Sequence, residues 1–248
     1  GVSGVMVPVR VRAHLACGIA QAAPWGIALD GLLASQLWEG IKAQRRAAGA
    51  GYVRAMDCAE PADLGLPLAR CQPYGAGSPV WHWAATCALP EPVDGRQEVQ
   101  VRHWTARVDA RDLERVAERL PKSLPARQGR FRARRMPLLV SVCASVSWQA
   151  VGDPQAIRAL LDPVRTIGKK RSSGEGHVLA WEVEQVDVDR FTAGHLHADG
   201  SLGRPCPAPC RQQAGQVADG GLGRAGLRPP YMHPGRQQEL WLPALLGS

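Results

Sequence analysis

The chain has 248 residues, 45% hydrophobic and 21% charged, a balance that suits a folded protein and excludes disorder along its whole length. No apolar run approaches the roughly 18–20 residues of a membrane-spanning helix, and the start lacks the pattern of a secretory signal, so the expectation is a cytoplasmic protein. Lys and Arg number 30 against 22 Asp and Glu, a net charge of +8 that points to a polyanionic partner.

The length allows one large domain or a domain with a sizeable insertion. In chain order, Val5 to Ala16 is predicted as the opening strand, because Val7, Val9 and Val11 alternate with Pro8, Arg10 and Arg12. Leu29, Leu32, Leu33 and Leu37 then have helical spacing, with Asp30 suited to a first turn. The stretch from Gly49 to Gly77, broken by prolines and glycines, is expected to be irregular. Val80 to Ala88 is predicted as a strand with Trp81 and Trp83 on one face and His82 on the other. Asp109 to Leu120 has the pattern of a short amphipathic helix, ended by Pro121.

The segment from Pro137 to Val188 is the most legible. Leu138 to Val151 is rich in β-branched and apolar residues and predicts a strand. Asp153 and Pro154 have the chemistry of an N-cap and a first helical position, and Ile157, Leu160, Leu161 and Val164 supply a buried stripe. A glycine-rich loop follows, and Val178 to Val188 is a further strand. Strand, helix, loop and strand in this order make half of a ferredoxin-like sandwich, to which the opening strand and the Leu29 helix can add part of the other half. Gly194 to Gly226 loses periodicity and is expected to be a long loop or partly ordered arm. The run from Leu227 to Pro234 is expected to lie extended against the body.

Two segments concentrate positive charge. In Ile167-Gly168-Lys169-Lys170-Arg171-Ser172-Ser173-Gly174-Glu175-Gly176-His177, the glycines permit positive φ and leave amides open to a phosphate, while the basic and hydroxyl side chains add charge and donors. The loop has no Walker spacing, and it follows a helix and opens a strand, the reverse of a dinucleotide site. A nucleotide cofactor is therefore not expected. In the second segment, Arg127, Arg130, Arg132, Arg134 and Arg135 surround Phe131, and alternation places Arg130, Arg132 and Arg134 on one face of an extended backbone. Such a basic hairpin suits tracking of single-stranded RNA; a plain solvated charge run is the competing reading of either segment.

Seven scattered cysteines suit reduced thiols better than a disulfide framework, with Cys17, Cys87 and Cys143 placed among apolar neighbours. Cys206 and Cys210 follow His195 and His197, so four potential zinc ligands fall in one short stretch. The proline-filled gap is not a common zinc-knuckle spacing, and the stretch reads as a Pro-rich loop without a metal. No nucleophile elbow or histidine-glutamate zinc helix is present. His14 and His177 are the one conceivable acid–base pair for metal-independent RNA cleavage, although a histidine at a strand edge is more often structural.

The run from Trp148 to Asp153, the helix to Val164 and the loop from Ile167 to Val178 resemble the RAMP proteins of CRISPR systems. With Leu29-Asp30-Gly31-Leu32-Leu33-Ala34 and Leu227-Arg228-Pro229-Pro230-Tyr231, the chain is most similar to the small RAMP subunit of type IV effector complexes that caps the 5′ handle of the guide RNA. The resemblance implies an α+β, ferredoxin-like (RRM-type) domain over residues 1–190. It would carry a basic thumb-like insertion around 80–137, and an irregular arm over 191–248 would pack on it. It further implies a non-catalytic subunit without cofactor. Such a subunit would bind guide RNA through Gly168, Lys169, Lys170, Arg171, Ser172, Ser173, Gly174, Gly176 and His177 and through the arginine hairpin. Its partners would be a helical backbone subunit, a large subunit and, through the complex, a target nucleic acid. Glu175 departs from the family pattern, which tends to have an aromatic or apolar residue there. A RAMP endoribonuclease processing precursor RNA is the alternative, and a protein-interaction domain with acidic partners is a third reading.

Overall fold

The computed structural model describes residues 4–20, 25–92, 98–106, 134–168 and 176–244, with the backbone alone over 98–106 and 134–139. It is a mixed α and β structure with antiparallel sheets. The main sheet is built on β1 (Val7–Leu15) and β7 (Arg134–Gly152), paired from Val7 opposite Gly152 to His14 opposite Ser145. On its other side β1 pairs with β8 (Val178–Gln185). β7 also receives β2 (Ile19–Ala20), β5 (Leu89–Pro92) and β6 (Glu98–Ala106), all antiparallel. The order across the sheet is therefore β8, β1, β7 and then β5 with β6.

Two helices cover one face of this sheet. Helix α1 (Leu29–Ala47) follows the first strand and α2 (Pro154–Leu161) connects β7 to β8. The expected alternation in β1 is what aligns them: Val9, Val11, Ala13 and Leu15 are buried, while Arg10, Arg12 and His14 face the other way. The inward residues of β1 join Val146, Trp148 and Ala150 of β7, Trp181 of β8, Leu29 and Leu33 of α1, and Ile157 and Leu161 of α2 in one core. Inside it the Trp148 and Trp181 rings pack tilted at 31° with centroids 5.8 Å apart, and their indole N–H groups donate to the carbonyls of Ile27 and Val164, so neither ring buries an unpaired donor. Helix α2 begins as its sequence predicts: the Asp153 carboxylate accepts from the N–H of Gln155 and Ala156, with Pro154 first in the helix.

Other expectations are modified. The predicted strand around Trp81 contracts to β4 (His82–Trp83), which pairs with β3 (Arg70–Cys71). The predicted helix over 109–120 lies outside the described residues. The Gly194 to Gly226 stretch, expected as a long loop, instead contains the end of α3 (Arg190–His195), α4 (Ala208–Ala214) and the hairpin strand β9 (Leu222–Gly226), which pairs with β10 (Gln237–Trp241). These elements are too short for a periodic signal and are held by what they pack on. Cys206, Cys210 and Leu202 form their own small core with Phe191 and Trp241. Helix α3 lies on the sheet face away from α1 and α2, where Ala193 meets Val151 and Ala84. The second sheet face is thus partly covered.

One buried polar node joins the ends of the chain. The Asp30 carboxylate accepts the Tyr231 hydroxyl at 2.6 Å and the Gly31 N–H at 2.8 Å, and it lies 3.8 Å from the Arg204 guanidinium. Arg204 donates to the carbonyls of Trp83, Ala85, Pro205 and Leu227. Asp30 and Arg204 are fully buried. Burial pushes the Asp30 carboxyl up, while Arg204 and the Tyr231 hydroxyl oppose the shift. Asp30 is therefore a buried anchor as well as a first-turn acid. The Leu227 to Pro234 run reaches this node after a cis Pro229–Pro230 bond, and next to it Arg228 pairs with Asp63 at 2.9 Å.

Tyr231→Phe removes one donor from a buried carboxylate and is expected to cost about 1–3 kcal/mol. Urea denaturation checks this; a variant with an unchanged midpoint would contradict the role given to the hydroxyl.

Candidate functional site

The glycine loop has a firmly built base. Ile167 N–H donates to the Gly176 carbonyl at 2.9 Å, Val178 N–H to Arg165 at 2.8 Å, and Gly176 N–H to Gly18 at 3.1 Å, docking the loop on the turn between β1 and β2. Gly168 has φ of 84° and Gly176 φ of 70°. A Cβ on Gly168 would lie 2.4 Å from the Ala20 carbonyl oxygen, and one on Gly176 only 1.9 Å from that of Ile167, so neither position tolerates a side chain. His177 follows on the exposed side. Lys169, Lys170, Arg171, Ser172, Ser173, Gly174 and Glu175 lie outside the described residues, as do Arg127, Arg130 and Arg132. Arg134 and Arg135 open β7, opposite Ala106 and Thr105, at the far end of the β6–β7 ribbon.

The outward side chains of β1 carry positive charge that is already matched. Arg12 makes a bidentate pair with Glu91 at 2.8 and 3.1 Å and reaches Glu182 at 3.1 Å. His14 Nε2 lies 3.1 Å from the same Glu182 oxygen, and Arg10 lies 3.6 Å from Glu184. Burial opposes ionisation of Glu91, but hydrogen bonds from Arg12 and Ser145 outweigh it and hold the carboxyl below the usual glutamate range. Among its described residues this part of the sheet has no Phe, Tyr or Trp ring, its His14 ring is engaged by Glu182, and its arginines are paired with carboxylates, so it lacks what a base-stacking platform needs.

A second constellation is assembled from distant parts of the chain. Cys71 and His82 sit opposite each other on β3 and β4, His195 ends α3, and Cys210 lies within α4. One donor atom from each residue falls within 4.8 Å of the others. Cys210 Sγ lies 3.8 Å from Cys71 Sγ and 3.5 Å from His82 Nε2. His82, His195 and Cys210 are buried. Both imidazoles are held by a backbone carbonyl at Nδ1: His82 at 2.9 Å from that of Trp83, and His195 at 2.8 Å from that of Phe191. That fixes the Nδ1–H tautomer and turns each Nε2 lone pair towards the cysteines. The Phe191 ring stacks on His195 at 4.1 Å, and the two imidazoles meet edge to face at 5.0 Å. His195 Nε2 is buried without a hydrogen-bond partner. A hydrogen bond from Cys210 holds the Cys71 thiol well below its usual range despite burial, and the same contact pushes Cys210 up. Burial and the nearby Arg204 lower His82 to about 4.

Of the four potential ligands in the His195 to Cys210 stretch, only His195 and Cys210 belong to this cluster. Cys206 is turned into the small core beside it, and burial lowers the neighbouring His197 to about 4. Cys71 and His82 carry no sequence signal of a site, because neither spacing in the group, from Cys71 to His82 or from His195 to Cys210, follows a familiar motif. No protein-family model matches the chain, and no curated protein is significantly similar to it.

The Arg12–Glu91 pair sets a pH dependence. Glu91 is ionised in the fold at a lower pH than in the unfolded chain, so its contribution is present above the unfolded glutamate value and is lost as pH falls through the folded one. Glu91→Gln is expected to lower stability at pH 7 by about 1 kcal/mol, the scale of a partly solvated bidentate pair. Denaturant titrations should show this gap closing below about pH 4; a gap independent of pH would contradict the assignment.

Proposed function

We propose that the chain is a non-catalytic RNA-binding subunit of a CRISPR ribonucleoprotein, gripping the 5′ handle of the guide RNA through the loop between α2 and β8. The observation that carries this reading is the loop's base: the positive-φ glycines Gly168 and Gly176 and a short ladder of backbone hydrogen bonds hold the residues that flank Lys169-Lys170-Arg171-Ser172-Ser173-Gly174-Glu175 in the sequence together at the start of β8. A loop anchored in this way loses less entropy on gripping a phosphate chain than a free one does. The strand order β8, β1, β7, β5/β6, with α1 after the first strand and α2 between β7 and β8, supports assigning the main sheet to the ferredoxin-like, RRM-type arrangement of RAMP proteins. In this reading the β6–β7 ribbon is the base of the thumb that bears the arginine cluster.

The ion-paired sheet face supports the same choice of surface. Phosphates attracted to Arg10 or Arg12 would have to displace Glu184, Glu91 or Glu182, which makes this face a poorer RNA surface than its arginines alone suggest. The helical backbone subunit and the large subunit are the expected protein partners. No described helix is long and apolar enough to cross a membrane.

Replacing Lys169, Lys170 and Arg171 by Ala is expected to weaken binding of a repeat-handle RNA about 10–100-fold. It should also flatten the slope of log K against log salt by about 2, three phosphate contacts at about 0.7 each. Filter binding or anisotropy over a salt series measures both. Metal-independent cleavage of repeat RNA by the purified protein, lost on His14→Ala or His177→Ala, would replace this reading with the endoribonuclease one. Salt-insensitive binding that ignores the triple substitution would remove the loop from the interface.

A further inference from the structure

We propose that Cys71, His82, His195 and Cys210 bind one structural Zn2+ in a closed tetrahedral site that staples the β3–β4 hairpin to α3 and α4. The sulfur–sulfur distance and one sulfur–nitrogen distance match that chemistry. With Zn–S near 2.3 Å and Zn–N near 2.0–2.1 Å, a tetrahedron has edges of about 3.8 Å between two sulfurs and about 3.5 Å between sulfur and nitrogen. The observed Cys71–Cys210 separation is 3.8 Å and the Cys210–His82 separation 3.5 Å.

The polar accounting around the cluster points the same way. A buried imidazole nitrogen without a partner is costly, and His195 Nε2 is one. It belongs to a ring locked by Phe191 on both its carbonyl and its aromatic face, so it cannot turn away. A metal ion at the centre of the four donors satisfies it. Each histidine already has the carbonyl partner that orients metal-ligating imidazoles. Charge closes as well: two thiolates and two neutral imidazoles around Zn2+ sum to zero, which suits burial. Binding as two thiolates releases the thiol protons to solvent.

Other occupants fit less well. A two-iron cluster with two cysteine and two histidine ligands puts the histidines on the iron away from the cysteines, farther apart than the 3.5 Å between Cys210 and His82. A disulfide would need the sulfurs at about 2.05 Å. Four protein donors leave no position for water, so the site has a structural rather than a hydrolytic role.

The test is metal analysis of the full chain purified from zinc-supplemented culture. About one equivalent of zinc per chain is expected to survive dialysis against a weak chelator, and X-ray absorption should give two sulfur and two nitrogen ligands. Co2+ exchanged into the site should give the intense visible bands of tetrahedral thiolate coordination. Cys71→Ser and Cys210→Ser should retain at least about tenfold less zinc, while Cys206→Ala and His197→Gln keep the full equivalent. Should the cysteine variants fail to fold, absorption spectroscopy on the unaltered protein still decides the ligand set. A strong chelator is expected to lower the melting temperature by about 10 °C or more. A stable protein that takes up neither Zn2+ nor Co2+, a Cys71–Cys210 disulfide in the mass spectrum, or any ligand set other than two sulfurs and two nitrogens would overturn the site. RNA binding does not enter these readouts, so the metal site and the RNA-binding reading stand or fall separately.

Discussion

The fold depends on Arg204 satisfying, in one buried place, groups that belong to four separate stretches of chain. Its guanidinium donates to carbonyls on and after β4, to Pro205 and to Leu227, and lies against the Asp30 carboxylate at the start of α1. A buried guanidinium is tolerable only where its donors are matched and a counter-charge is near, and both conditions are met here. Lysine could not substitute, because a point charge with three donors cannot serve four carbonyls held in a plane-like fork. Asp30 in turn needs the Tyr231 hydroxyl, which ties the C-terminal region to the first helix. The two sequence motifs Leu29-Asp30-Gly31 and Pro229-Pro230-Tyr231 are thus one structural unit, separated along the chain and joined in space.

The C-terminal region is consequently a working part of the domain. It covers part of the sheet's second face through α3 and brings His195 and Cys210 to the β3–β4 hairpin. Its helices are short and have little intrinsic stability, so they depend on tertiary partners. The sheet face under Ala193, the small core around Leu202 and the Cys–His cluster supply such partners. The close Cys71–Cys210 contact polarises the pair in favour of a Cys71 thiolate, and Arg204 sits near enough to oppose protonation of His82. The node and the cluster are thereby electrostatically adjacent.

This division of surfaces gives the proposed RNA-binding role a physical basis. Positive charge on β1 is consumed by glutamates on its neighbours, whereas the loop between α2 and β8 carries three consecutive cations in sequence with one glutamate. A basic protein need not be basic everywhere: a cation already paired with a carboxylate attracts a polyanion less.

By itself the sequence determined the elements whose signal is local. The alternation of β1, the Asp153–Pro154 start of α2, the stripe of Ile157 and Leu161, and the position of the glycine loop between a helix and a strand all follow from side-chain periodicity and capping chemistry over a few residues. Tertiary structure alone decided the rest. Asp30 looks like an ordinary first-turn acid until Arg204 and Tyr231 are placed beside it. Cys210 and His195 look like half of a local cluster with Cys206 and His197, but that grouping fails because Cys206 and His197 turn into their own packed surroundings. Their place is taken by Cys71 and His82, more than 100 residues earlier in the chain. No periodicity or spacing rule reaches that far, since a metal-like grouping of side chains is set by where backbones meet and which ring nitrogens their carbonyls leave free.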